Sequence, residues 1–453
     1  MALRNPVNRE VVRLAVPSIL ANITVPLVGI VDTAIAGHLG DAVLIGGIAV
    51  GTMLFDLLYW NMGFLRVGTG GITAQAYGRG DWKAAIGTFS QGIATAMVAS
   101  LVVLAIQWLF AEAMFLLVDC SPEVERIARN YFFIRVWAAP ATLALFVFKG
   151  WFIGMQNTVF PMITDLWVNI VNMVASWLLS FYTPLGINGV AVGTLVAQWS
   201  GLLLAMLLMR SRYRDLMQQT TILHSMKWKY FSRFFSVNSF LFVRSLLMLV
   251  VYEGFTIFAA RFGDVELAVS SVMMHLLLLY SYFVDGFAYA GEAMTGRFIG
   301  ERNRPSLNET VKYVFFWGAV IGVVSTAAYA IFPRSIIGIL TDNAEVIAAS
   351  GPYLFWLILM PLLSCVAFIW DGIYVGATAS RSLMVCMIWS AGLFIVSFFL
   401  CAPHFGAQAL YIAYFVHLVA RSVYLTLAAR RSVWSQVPVM PAASGPNKKV
   451  VSL

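Results

Sequence analysis

Asp32 lies in the run PLVGIVDTAIAGHLGD, residues 26–41, the rest of which reads as membrane helix. An ionised carboxylate at bilayer depth costs roughly 2.5 kcal/mol or more, so it is kept only where it is paired, hydrated or able to take up a proton. Removal from water disfavours the charged form of a carboxyl, which suits such a group to proton exchange near neutral pH. Two readings of Asp32 follow: an ion-coupling carboxyl, or a permanently protonated acid hydrogen-bonded to a neighbouring helix. Pro26 stands six residues before it and Pro17 earlier in the same run. A proline removes a helix hydrogen bond and permits a kink.

A second polar set stands further along. Asp165, Asn169, Asn172 and Ser176 fall at i, i+4, i+7 and i+11, one stripe on one helical face. A stripe that long cannot face lipid and must meet another helix or a wet cavity. Thr194 and Gln198 repeat the i, i+4 spacing on the next apolar run. Interhelical hydrogen bonding, worth roughly 0.6 kcal/mol per contact, is the competing account of these residues.

The second half of the chain offers Asp285 and Glu292, seven apart and so on one face, with Glu253 and Arg244 on the preceding run. A second cation site and an internal charge network through Arg244 or Arg66 both fit them. Asp56 has no partner in sequence and is given no role. Met62, Trp177, Met273 and Tyr280 are soft or flat side chains suited to varied apolar ligands. Packing and interface anchoring explain such residues equally simply. Cys120, Cys365, Cys386 and Cys401 show no metal or redox spacing, and no metal site or cofactor is expected. The five histidines are scattered, and there is no His-Glu-x-x-His, Gly-x-Ser-x-Gly or phosphate-cradling glycine loop, which argues against an intramembrane enzyme.

The elements that must position these residues are helices in a membrane. The chain has 453 residues, 60% of them hydrophobic and 11% charged, with mean hydropathy +0.83. Twelve continuously apolar runs, approximately 11–36, 43–76, 83–110, 124–148, 158–182, 187–210, 231–261, 265–298, 308–331, 345–371, 380–401 and 406–430, are each long enough to span a core about 30 Å thick. Continuous rather than alternating hydrophobicity selects helices over a barrel. Lys and Arg crowd the loops of one side, while only Arg126, Arg129, Arg261 and Arg334 fall in those of the other, which predicts cytoplasmic termini. The net charge of +8 is then accounted for by loops facing anionic lipid, without a nucleic-acid partner. No cleavable signal is expected at MALRNPVNREVVRLA.

The chain is written twice. The stretch 40–81 aligns with 263–303: Gly40-Asp41 meet Gly263-Asp264, Gly63-Phe64 meet Gly286-Phe287, and Gly78 meets Gly300 after a one-residue gap. KGWFIGMQNT (149–158) faces DGIYVGATAS (371–380), so Lys149 stands opposite Asp371; a latch between the halves is one reading of that swap, reach to the membrane interface the other. Phe255 stands opposite Asp32. An even number of spans per half makes the repeats parallel, with the binding site expected between the lobes. The expected divisions are an N-terminal lobe 1–210, a cytoplasmic linker 211–230, a C-terminal lobe 231–431 and a disordered tail 432–453. Gly150/Gly154 and Gly372/Gly376 are expected to bring helices close together.

NITVPLVGIVDTAIAGHLGD (22–41), GTGGITAQAYG (68–78), GWFIGMQNT (150–158), NIVNMVASWLL (169–179), GINGVAVGTLVAQW (186–199), VDGFAYAGEAMTG (284–296) and DGIYVGAT (371–378) carry a resemblance to the multidrug and toxic compound extrusion (MATE) family, and within it to the DNA-damage-inducible branch. The resemblance implies an all-α, V-shaped transporter of two six-helix lobes in the bacterial inner membrane. It would export lipophilic, cationic, amphiphilic compounds in exchange for H+, with Na+ the alternative. It also implies that Asp32 works with Asn172 and Thr194. Ser176 departs from the family's Asn-x-x-x-Asp pattern, which removes one acid from this half. On this reading protonation of Asp32 changes its hydrogen bonds to the Asn172/Ser176 face and bends the helix at Pro26. A monomer is expected, with membrane lipids as surroundings and no ATPase subunit. A flippase for a lipid headgroup is the alternative, hinted at by Arg66, Arg135 and Arg244.

Overall fold

The computed structural model describes residues 5–40, 42–118, 120–217 and 228–438. Twelve helices among them are long and apolar enough to cross a membrane: α1 Pro6–His38, α2 Val43–Gly78, α3 Trp82–Phe115, α4 Pro122–Gly154, α5 Val159–Tyr182, α6 Asn188–Met217, α7 Phe231–Phe262, α8 Asp264–Gly300, α9 Arg304–Ile331, α10 Gly351–Gly376, α11 Ser380–Phe405 and α12 Gln408–Gln436. The helix of α6 runs to Met217 and that of α7 begins at Trp228, so helix extends into both ends of the stretch read as a linker. Residues 218–227 of that stretch, and 439–453 of the expected tail, lie outside the described residues. The start of the tail is held, against the sequence expectation: Trp434 Nε1 donates to Asn308 Oδ1 at 2.7 Å and Gln436 Nε2 to the Ala377 carbonyl at 2.8 Å.

Three spans of the first half are broken where the sequence weakens the helix. In α1 the break is at Thr24, and Pro26 opens the second segment, where its missing N–H costs nothing. Short 3-10 turns interrupt α2 at Asn61–Gly63 and α4 at Val136–Ala138, ahead of Pro140. Two short helices, Pro333–Ile337 and Ala344–Ala349, fill the connection between α9 and α10; the second takes up the start of the run expected over 345–371, and the span itself begins at Gly351.

Glycine packing shows the duplication in three dimensions. Gly150 lies on the main chain of Arg66 and Gly372 on that of Ala288; a Cβ at either would strike a carbonyl. Gly154 closes on Gly70 and Thr73, and Gly376 closes on Glu292. Between the lobes Gly78 sits on the carbonyl of Arg297 while Gly300 sits on that of Gln75, and Ala74 faces Gly296. Each pair is related by the same 222 residues that separate Gly150 from Gly372. The two halves therefore meet α2 to α8 about a pseudo-twofold axis along the membrane normal.

Contact between the lobes is concentrated at the end where the basic loops lie. The first segment of α1, Pro6–Ile23, packs on α8 and α9, and the second segment of α2, Phe64–Gly78, packs on α7, α8 and α10. Polar ties join them there: Arg297 Nη1 to Glu10 Oε1 at 2.9 Å, Gln156 Nε2 to the Ala293 carbonyl at 2.8 Å, Arg233 Nη2 to Gln75 Oε1 at 2.9 Å, and Gln75 Nε2 to the Gly376 carbonyl at 3.1 Å. The second segment of α1, Val25–His38, packs instead on α2 and α5 of its own lobe. The lobes are shut at the basic end.

Candidate functional site

Polar groups collect in two places. The first is inside the N-terminal lobe. Asp32 is carried on the second segment of α1 at 8% exposure, and it forms no hydrogen bond or salt bridge among the described residues; its Oδ1 is buried without a partner. Asp32 lies in the field of Arg135 of α4, which it shares with Asp56 and with the Tyr59 hydroxyl of α2. Arg135 is itself pinned, its Nη1 donating to Tyr131 Oη at 2.9 Å and its guanidinium lying 4.6 Å over the Phe55 ring.

The polar stripe of α5 faces α1 and α6, but not as a cage for Asp32. Asn169 Nδ2 donates to Thr24 Oγ1 at 2.7 Å, which places it on the helix break. Asn172 Nδ2 donates to Thr194 Oγ1 at 2.8 Å, and Thr194 donates on to the Val190 carbonyl at 3.1 Å. Ser176, fully buried, lies against the backbone of Gly193, and its Oγ donates to the Val190 carbonyl at 3.4 Å. The expected hydrogen bonds from Asp32 to Asn172 and Ser176 are thus absent, because α6 has already taken those groups. Asn172 Oδ1 remains buried and unpartnered. Gln198 is half-buried further along α6.

The second place is a central cavity of about 190 Å³ between α2, α7, α8 and α10. Arg66, Arg244, Asp285, Glu292 and Asp371 all line it, among Trp60, Tyr252, Tyr289 and Phe368. Glu292 bridges the lobes through Arg66 Nη1 at 3.2 Å, and the same guanidinium lies 4.4 Å over the Tyr289 ring. Asp371 accepts from Arg244 at 2.6 Å and from Arg421 of α12 at 2.5 Å. Asp285 makes no hydrogen bond or salt bridge among the described residues. Of the second-half acids, Glu292 and Asp371 are thus ion-paired, Asp285 lines the cavity without a bond, and Glu253 is exposed on α7.

The latch between Lys149 and Asp371 is not formed. Lys149 Nζ is bonded to Asp165 Oδ2 at 2.6 Å within its own lobe, and Asp371 is occupied by two arginines of the other. The substrate-lining candidates also lie elsewhere. Met273 and Tyr280 are in the C-terminal core, with Tyr280 Oη donating to the Pro361 carbonyl at 2.8 Å; Met62 packs among Leu65 and Val147; Trp177 is exposed beside Tyr182. Of the groups that do line the sites, sequence reading gave no role to Asp56, Tyr59, Arg421 or Phe368. The one available signal was that Arg135 and Arg421 sit inside apolar runs, where a cation calls for a partner.

The model of the MatE family matches residues 17–178 and 241–400. The chain belongs to the MatE family. MatE proteins are transporters and not enzymes, and this chain is 31% identical over 431 residues to DNA damage-inducible protein F of Escherichia coli (strain K12), covering 95% of this chain and 94% of that one. Among solved structures it is similar to a MATE protein in the straight conformation, TM-score 0.85, and in the bent conformation, TM-score 0.84. Each is 16% identical and covers 96% of this chain, with 98% and 97% of the other. At that identity the likeness is one of fold. It agrees with the two six-helix lobes and with the twelve spans of a multi-pass membrane protein.

Proposed function

We propose that this MatE transporter is a secondary antiporter of the bacterial cytoplasmic membrane that exports lipophilic organic compounds bearing a cationic group in exchange for H+. Its termini lie on the cytoplasmic side, where the basic loops are. Asp32 is the coupling group. The observation that carries this reading is a buried carboxylate that forms no hydrogen bond or salt bridge among the described residues, on a helix segment that begins at a break and packs on α2 and α5 of its own lobe.

One carboxylate suffices to take up a proton, whereas Ser176 supplies no second acid for a Na+ ligand set. Protonation removes the attraction between Asp32 and Arg135, and the segment Val25–His38 then reorients about the Thr24 break that Asn169 holds. In the cavity, Asp285 has no ion-pair partner among the described residues and is surrounded by aromatic rings, which favours a cationic head.

The test is efflux of a fluorescent lipophilic cation from proteoliposomes under an imposed pH gradient and then under a Na+ gradient. The wild type is expected to respond to the pH gradient and Asp32→Asn to lose that response. Full proton-driven export by Asp32→Asn would overturn the assignment. Transport needing neither gradient would favour a lipid flippase.

A further inference from the structure

The basic end of the N-terminal lobe carries a pocket that the transport reading does not use. It has a volume of about 420 Å³ and opens between the first segment of α1, the turn 155–158 that joins α4 to α5, and the end of α6. Arg13 and Arg212 line it, with Glu10, Tyr77 and Tyr213. A second pocket, of about 490 Å³, shares Arg212 with it and holds Arg210, Arg214 and Asp215. Arg13 and Arg212 are both exposed and open to a ligand. Arg212 forms no salt bridge among the described residues; Arg13 has only Glu10, at 3.6 Å, and Glu10 is already bonded to Arg297 at 2.9 Å. Arg210 and Arg214 also lack an ion pair among the described residues, so the arginines outweigh the two carboxylates, Glu10 and Asp215. The first amides of α5 are not free, since Asn157 Oδ1 accepts from Val159 N and Phe160 N, both at 3.2 Å. The arginines, rather than the helix end, therefore carry the site. Arg212 is placed by a bend: α6 leaves helical geometry at Tyr213 (φ −119°, ψ 18°), whose hydroxyl lies beside Arg212 and accepts from Asn157 Nδ2 at 3.3 Å.

Behind these arginines the helices face lipid. On α1, Leu20, Val16, Arg13 and Arg9 lie on one exposed face; on α6, Leu203, Leu207, Arg210 and Arg214 do the same with the same spacing. Between them α5, which packs on both helices, presents the exposed Val159 to the pocket. Each stripe is apolar first and basic at its end. Its eleven residue steps rise about 16 Å, roughly half of a hydrocarbon core about 30 Å thick. A soluble anion matches the arginines alone, whereas a phospholipid matches both parts. From this pairing we infer that the pocket is a binding site for an anionic phospholipid of the leaflet at the basic end, its phosphate held by Arg13 and Arg212 and its acyl chain laid along the exposed faces of α1 and α6. Guanidinium suits that role because two of its N–H donors can meet two phosphate oxygens at once. Arg210 and Arg214 add the field that favours a headgroup of net negative charge over a zwitterionic one. The site also bridges a seam, since the first segment of α1 packs on α8 and α9 of the other lobe. It shares no residue with the central cavity, and the lipid is a resident component rather than cargo.

Native mass spectrometry of the full-length protein in detergent tests this by reading the Kd of the first bound lipid, for phosphatidylglycerol and for phosphatidylcholine with the same chains. Phosphatidylglycerol is expected to bind the wild type about tenfold more tightly, and Arg13→Gln with Arg212→Gln to cut that advantage below about twofold. Should the pair fail to give a monodisperse protein, Arg212→Gln alone is read in its place and is expected to lower the advantage about threefold. Arg381→Gln with Arg430→Gln, an equal loss of charge from exposed positions at the basic end of the other lobe, is expected to leave it intact. An unchanged advantage in the folded variant overturns the inference. An equal loss in the Arg381 and Arg430 pair overturns it too, because net charge would then account for the preference. The deacylated headgroup, glycerophosphoglycerol, in about hundredfold excess is expected to leave the lipid bound, because it lacks the part that the apolar stripes hold. Displacement by it would make a free anion the occupant and overturn the lipid assignment.

Discussion

Asp32 and Phe255 occupy corresponding positions of the two repeats and have opposite surroundings. Asp32 sits on a broken helix with an unused oxygen, in the field of Arg135. Phe255 is buried on an unbroken α7, edge-on to Tyr411 and Tyr414 at 5.6 and 5.7 Å, inside one continuous apolar core. The N-terminal lobe is divided instead into three smaller apolar clusters. One lobe keeps polar groups, helix breaks and divided packing; the other keeps a rigid core and places its charges at the central cavity. On the proposed mechanism, the same duplicated scaffold separates a part that changes shape from a part that holds it.

That contrast is broken most completely by removing the N-terminal carboxyl. Asp32→Asn is expected to abolish pH-driven efflux while retaining ligand binding in the central cavity, and paired proteoliposome and polarisation measurements check both halves of the claim. The converse change, Phe255→Asp, places an unpartnered carboxyl in the C-terminal core. It is expected to cost about 3 kcal/mol or more, read as a large fall in thermal unfolding temperature in detergent. If Phe255→Asp is tolerated, the C-terminal lobe is not the rigid partner.

The tie between the lobes is the next test. Glu292→Gln leaves Arg66 buried without its charge partner, a loss of about 3–5 kcal/mol for a pair broken on one side. Spin labels on Lys83→Cys of α3 and Lys312→Cys of α9, both exposed near the basic end, should then report longer distances than in the wild type. The double replacement Arg66→Met with Glu292→Leu should recover much of the stability while still loosening the lobes. A smaller effect is expected at the helix break, where Asn169→Ala removes one hydrogen bond to Thr24 worth about 0.6 kcal/mol. Its signature would be slower efflux with little change in unfolding temperature.

Much of the fold is legible in particular residues. Twelve apolar runs give the spans, and Gly150, Gly154, Gly372 and Gly376 mark where helices must approach, since the close backbone contacts of Arg66 and Ala288 admit no side chain. Asp32 also stands out, because a carboxylate amid apolar residues is conspicuous in any window. Its environment is not legible. Arg135, whose field Asp32 shares with Asp56, lies about a hundred residues away on α4, at no helical spacing from it. Lys149 and Asp371 illustrate the same limit: the repeat places them at equivalent positions, but each is satisfied by a closer partner in its own lobe, Asp165 for one and Arg244 with Arg421 for the other.

Hydrophobic length, basic-loop asymmetry and the internal repeat thus determined by themselves that this chain is a helical membrane protein of two parallel halves with an acid in its first span. They act locally, through the cost of exposing a peptide group or a charge to lipid, and so can be read in a window of about 20 residues. Which charges pair, which stay open and which end of the lobes is shut were decided only by the tertiary structure. Those outcomes depend on competition between partners more than a hundred residues apart, as between Glu292 and Arg66, and burial makes each winning pair exclude the rest.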